Sequence, residues 1–149
     1  KYNTAIAGKD TTTVATTVLN LLSDDVIDVP LTPMSPDNKQ EYLFELSNKQ
    51  DNNQNEVSLQ YTIELSNLAN LPLEFTLYRY NESTKNYEKV QLNANVTDEI
   101  EMNVNETNNH KYKVEIKWKE NTANVEYDSY KYSKTIDYMK IKINAVQKD

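Results

Sequence analysis

From Val57 the apolar side chains fall at Val57, Leu59, Tyr61, Ile63 and Leu65, with Ser58, Gln60, Thr62 and Glu64 between them. A period of two puts alternate side chains on one face of an extended chain, which predicts a strand with a single buried face. The same alternation runs through Tyr42, Phe44 and Leu46, where Leu43 breaks the polar phase, through Leu73, Phe75 and Leu77, and through Tyr112, Val114, Ile116 and Trp118. Ile100, Met102 and Val104 mark a fifth strand, Met139, Ile141, Ile143 and Ala145 a last one, and residues 87–92 a shorter one.

Segments 47–56, 66–70, 81–86, 93–98 and 106–110 separate these runs and are dense in Asn, Asp, Ser and Thr, whose side chains bond nearby backbone in turns. Strands of this length at this spacing predict an all-β fold, an antiparallel two-sheet sandwich built as a single domain. With one glycine in 149 residues, asparagine is expected to occupy the positive-φ positions, and Asn52, Asn53, Asn108 and Asn109 are the candidates. Pro30, Pro33 and Pro36 rule out a central strand over 29–37 and predict an extended crossover between sheets. Residues 121–134 carry Tyr127, Tyr130 and Tyr132 without alternation and read as a long loop or a single helical turn.

The N-terminal stretch 1–22 stands apart from the sandwich proper, 23–149. Its Thr11, Thr12, Thr13, Val14, Ala15, Thr16, Thr17, Val18 and Leu19 favour extended backbone, yet the apolar side chains stay small as far as Val18. Such a stretch is either the first strand of the domain or an extended arm.

Composition then narrows function. The net charge is −7 and the 16 basic residues are scattered among acidic ones, so no face is suited to a phosphate backbone and nucleic acid is not expected as a partner. No run approaches the roughly 20 apolar residues of a membrane helix, so no span is expected in this chain. The chain starts at Lys1 rather than Met, consistent with a trimmed, exported protein, and its lack of cysteine argues against a disulfide-stapled animal module.

Catalytic and metal chemistry find little support. His110 is the only histidine and, flanked by Asn109 and Lys111, reads as a surface turn residue without companions for a triad or a zinc site. Glu41, Glu45, Glu64, Glu74, Glu99, Glu101 and Glu115 sit on the polar phase of their strands, where solvated charge is expected, so the chain is read as no enzyme. Asp24, Asp25, Asp28 and Asp37 lack EF-hand spacing and its glycine, which leaves at most a loop ion; no cofactor is expected. Asn81, Asn95 and Asn105 each begin an N-glycosylation sequon, as chance allows in an Asn-rich chain. Tyr78, Tyr80, Tyr127 and Tyr130 are candidate exposed aromatic contacts for a sugar or a protein surface.

Three stretches resemble the secreted bacterial biofilm-fibre proteins of the TasA and camelysin family. They are Ser35-Pro36-Asp37-Asn38 leading into Phe44-Glu45-Leu46-Ser47-Asn48, residues 61–65 followed by Leu71-Pro72-Leu73-Glu74-Phe75, and Tyr112-Lys113-Val114-Glu115-Ile116-Lys117-Trp118. The resemblance implies a jelly-roll sandwich, extracellular or cell-surface, that associates with its own copies and with other matrix proteins in fibres. It also implies that an N-terminal strand of one subunit completes the sheet of the next, with Thr11 to Leu19 as the donor. Asp37 replaces the family's usual glycine after the turn proline, and the metalloprotease activity described for camelysin has no ligand set here to carry it. A non-catalytic adhesive module for carbohydrate or protein is the alternative.

Overall fold

A computed structural model describes residues 4–5, 11–20, 25–31, 39–47, 49–50, 53–54, 58–67, 73–103, 106, 108–118 and 138–148. Within these described residues the strands are β1 (Thr4–Ala5), β2 (Thr11–Asn20), β3 (Asp25–Pro30), β4 (Lys39–Ser47), β5 (Lys49–Gln50), β6 (Asn53–Gln54), β7 (Ser58–Asn67), β8 (Leu73–Asn81), β9 (Asn86–Val90), β10 (Leu92–Asn93), β11 (Val96–Thr97), β12 (Ile100–Met102), β13 (His110–Trp118) and β14 (Tyr138–Lys148). Among the described residues there is no helix.

The strands form two facing sheets. The first runs β1-β2-β4-β13-β8-β9, and the second β10-β11-β7-β14-β3 with β12 also on β7; β5 and β6 make a separate small hairpin. From β3 onward successive long strands change sheets, with β8 and β9 the exception, so the sandwich has the alternating winding of a jelly roll. All described pairings are antiparallel except β2 on β4.

The period-two pattern is what builds the core. Leu59, Tyr61, Ile63 and Leu65 of β7 and Met139, Ile141, Ile143 and Ala145 of β14 face Tyr42, Phe44 and Leu46 of β4, Leu73, Phe75 and Leu77 of β8 and Tyr112, Val114 and Ile116 of β13. Burying an aliphatic or aromatic side chain of this size contributes about 1.5–3 kcal/mol, and such interleaved faces are the main force holding the sheets together. Gln40 is buried on the same face and donates to the Pro30 carbonyl at 3.1 Å, tying the start of β4 to the end of β3. Where the ladder between β7 and its short neighbours breaks, the Thr97 hydroxyl accepts from the Ile63 amide at 3.0 Å and keeps that buried donor paired.

Two expectations need correction. His110 is 4 % exposed and opens β13; it points inward on the phase of Tyr112 and Val114. Asn108, Asn109 and Asn53 are not among the described residues with positive φ; Lys85, Ala94 and Asn95 are. Ala94 and Asn95 form the two-residue turn between Asn93 and Val96, whose pairing demands φ near +52° and +65° at those positions. Asp25–Pro30 is a strand that the pattern does not single out, and it lies at the edge of the second sheet, where Pro30 removes no interior ladder bond, in keeping with the exclusion of a central strand there; residues 32–37 of the expected crossover lie outside the described residues. Only Ile27 and Val29 mark the strand, too few to stand out in the pattern. Asn52 and residues 121–134 lie outside the described residues.

Candidate functional site

The donor-strand candidate lies against the chain's own first sheet. β2 pairs in parallel with β4, from Thr11 beside Lys39 to Asn20 beside Ser47. The register shifts between Val14 and Thr17: Val14 stands beside Tyr42 and Thr17 beside Phe44, so β2 carries one residue more than β4 over that step. Among the described residues, β2 pairs on its far side with the two residues of β1 alone. A parallel ladder is slanted and slightly weaker per residue than an antiparallel one. Among the described pairings, β4 is the only strand that joins β1 and β2 to the rest of the sheet.

The outer face of the first sheet carries a closely knit charged and aromatic surface. Glu41, Glu45, Glu115, Lys111, Lys113, Lys117, Glu74, Tyr78, Tyr80 and Tyr87 lie on it by alternation. Lys39 bonds Glu115 at 2.9 Å, and that bond is the main reason the amine holds its proton more tightly than usual. Lys113 approaches Glu41 at 3.5 Å and also stands over the rings of Tyr78 and Tyr87 at 4.9 and 4.8 Å, while Lys111 stands over Tyr80 at 5.5 Å. Tyr80 and Tyr87 meet edge to face at 5.3 Å. Tyr78 and Tyr80 are therefore half-buried, each with a lysine over a ring face that a sugar would use. Tyr127 and Tyr130 lie outside the described residues.

The chemistry inside the sandwich is a hydrogen-bonded chain crossing between sheets. Tyr61 of β7 bonds Tyr112 of β13, 2.5 Å between hydroxyl oxygens, and His110 Nδ1 at 2.6 Å. The other imidazole nitrogen, Nε2, meets Glu106 Oε2 at 2.5 Å. A carboxylate only accepts, so Nε2 carries a proton, and neutral His110 leaves Nδ1 to accept from Tyr61. Tyr61 then accepts from Tyr112. Burial first, and then the Arg79 cation, push His110 below the usual imidazole range against the opposing pull of Glu106. Burial also raises Tyr61 well above, and Tyr112 above, the usual phenol range.

The chain ends at an open cleft of about 780 Å³ lined by Arg79, Glu88, Glu106, Asn108, Asn109 and His110. Arg79 reaches it from the inward phase of β8, with its guanidinium 5.9 Å from the centre of the Tyr112 ring. Sequence reasoning missed this group, yet the signal was present. His110 keeps phase with Tyr112, and Arg79 with Leu77, so both belong to the inward set despite their polarity.

Metal chemistry finds no support in the described residues, where no group of three His, Cys, Asp or Glu converges. Asp28 bonds Lys140 and the Asp25 carboxylate takes the Val26 amide. Asn81 of the first sequon caps its turn by accepting from the Ser83 and Thr84 amides at 2.8 and 3.2 Å.

No family model matches the chain, and no curated protein matches its sequence. Among solved structures it is similar to the pre-peptidase C-terminal domain of a collagenase from Bacillus anthracis, with 15 % identity, 89 % of this chain and 95 % of that one covered, and a TM-score of 0.36. That likeness is too distant to inform function.

Proposed function

We propose that this protein is a non-catalytic extracellular structural subunit that assembles with its own copies by exchanging the N-terminal strand β2. The observation that carries this reading is the place of β2: parallel to β4, flanked on its far side by β1 and, among the described pairings, joined to the rest of the sheet through β4 alone. If β2 leaves, β4 presents a row of unpaired amides and carbonyls, and β2 of a second copy restores the same ladder. Each pairing lost within a subunit is regained between subunits, so the cost of exchange is mainly the entropy of association. The resemblance of the strand and turn segments to biofilm-fibre proteins points the same way.

The test is deletion of residues 1–20. The expected outcome is a folded monomer that forms no filaments by negative-stain microscopy and binds a synthetic peptide of residues 1–20. Filaments of unchanged yield from the truncated protein would overturn the proposal.

A further inference from the structure

We propose that the chain from Tyr112 through Tyr61 and His110 to Glu106 is an acid-sensitive clasp between the two sheets, opened when His110 takes a second ring proton. Its donor directions all run one way. With His110 neutral, Tyr112 donates to Tyr61, Tyr61 donates to Nδ1, and Nε2–H donates to Glu106. A proton on Nδ1 turns that nitrogen into a donor toward Tyr61. Tyr61 must then swing its own proton to Tyr112, and the Tyr112 O–H is left to find another acceptor. Among the described residues its hydroxyl meets only Tyr61, deep within the sandwich. A buried hydroxyl without an acceptor is unfavourable, so the protonated state favours separation of β7 from β13 at this end.

The charges around His110 come from several elements. Glu106, in the loop before β13, bonds Nε2 and favours the imidazolium. Arg79 from β8 opposes it, and Glu88 of β9, the register partner of Arg79, lines the same cleft. From β4, Leu46 is the register partner of His110, and Glu45 faces outward to Asn109 at 3.0 Å. The cleft gives solvent protons a route to this end of the chain of bonds.

The clasp shares a cross-strand row with the N-terminal strand. His110 pairs with Leu46, and Leu46 pairs with Leu19 of β2. Loosening β13 at His110 therefore loosens β4 where β2 ends. On the strand-exchange reading proposed above, mild acid releases β2 and speeds exchange between copies.

His110 is the only histidine, so its ring protons report directly in a one-dimensional NMR titration of the full chain. The expected midpoint lies below the roughly 6.5 of a free imidazole; a midpoint at or above that value overturns the proposal. A second arm compares urea midpoints at about pH 7.5 and about pH 5.5, where linkage makes a native state that resists protonation lose stability. His110→Asn keeps an acceptor for Tyr61 and cannot titrate, so its acid loss is expected to be less than half that of the wild type. An equal loss in both proteins overturns the clasp, and the titration stands even if the variant does not fold. Exchange of a labelled residue 1–20 peptide into the full chain should run several-fold faster at the lower pH. If peptide exchange fails at both pH values while the first two arms behave as expected, the assembly reading falls and the clasp holds.

Discussion

The hydroxyl oxygens of Tyr61 and Tyr112 lie 2.5 Å apart inside the sandwich, one supplied by each sheet. Two phenols meet there where the alternation of β7 and β13 would otherwise place only hydrocarbon. The contact is made edge to face, with ring centres 6.5 Å apart.

Tyr61 is the middle member of the chain of bonds and Tyr112 its end. Tyr61→Phe removes the partner of both Tyr112 and His110 Nδ1, and leaving buried polar groups unpaired costs about 1–3 kcal/mol each. Tyr112→Phe takes away only the terminal donor and should cost about 1 kcal/mol. Denaturant unfolding of the two variants should rank Tyr61→Phe as clearly the more destabilised.

The same pair sets an alkaline limit. Folding raises both phenol pKa values, so above a pH of about 10 the unfolded chain releases protons that the native state retains. The linkage sign is then negative: stability is intact below that pH and falls as pH rises through it. Ultraviolet difference spectra should show tyrosines that ionise only as far-ultraviolet circular dichroism is lost.

Phe44 of β4 stacks on Tyr112 at 5.2 Å and is fully buried between the sheets. Phe44→Ala removes that contact and leaves a cavity, at a cost of about 3–5 kcal/mol. A sandwich of ordinary stability, about 5–15 kcal/mol, retains little reserve after such a loss. Thermal unfolding should shift down sharply or the variant should fail to fold.

Ala94 holds φ near +52° in the tight turn between β10 and β11, a left-handed conformation that its Cβ disfavours. Gly there relieves the clash, which is about 1–2 kcal/mol for an L-residue, while giving back some chain entropy. Ala94→Gly is expected to stabilise the protein by about 0.5–1 kcal/mol, read from the denaturation midpoint.

Most of the sandwich is legible from alternation because each long strand has one buried face. The runs ending at Leu65, Leu77 and Ala145 lie where their apolar phase places them, and Asn86–Val90 forms the shorter strand between them. What alternation does not show is the partner of a polar residue on the inward phase. His110 reads as a turn residue because its neighbours Asn109 and Lys111 are polar, although its spacing from Tyr112 and Val114 assigns it to the interior. Arg79 is hidden in the same way. The positive-φ positions are obscured because Lys85 and Ala94 take that conformation under the demands of loop length rather than by residue preference.

The surplus residue between Val14 and Thr17 is a bulge in β2 alone, since the ladder from β4 to β13 runs without a shift from Lys39 to Leu46. The edge that β4 offers is therefore regular, and the strand lying on it is the imperfect match, with its ladder interrupted at the step from Tyr42 to Phe44. Deleting Ala15 or Thr16 is expected to remove that interruption, so a residue 1–20 peptide with the deletion should hold the edge at least as tightly as the natural strand.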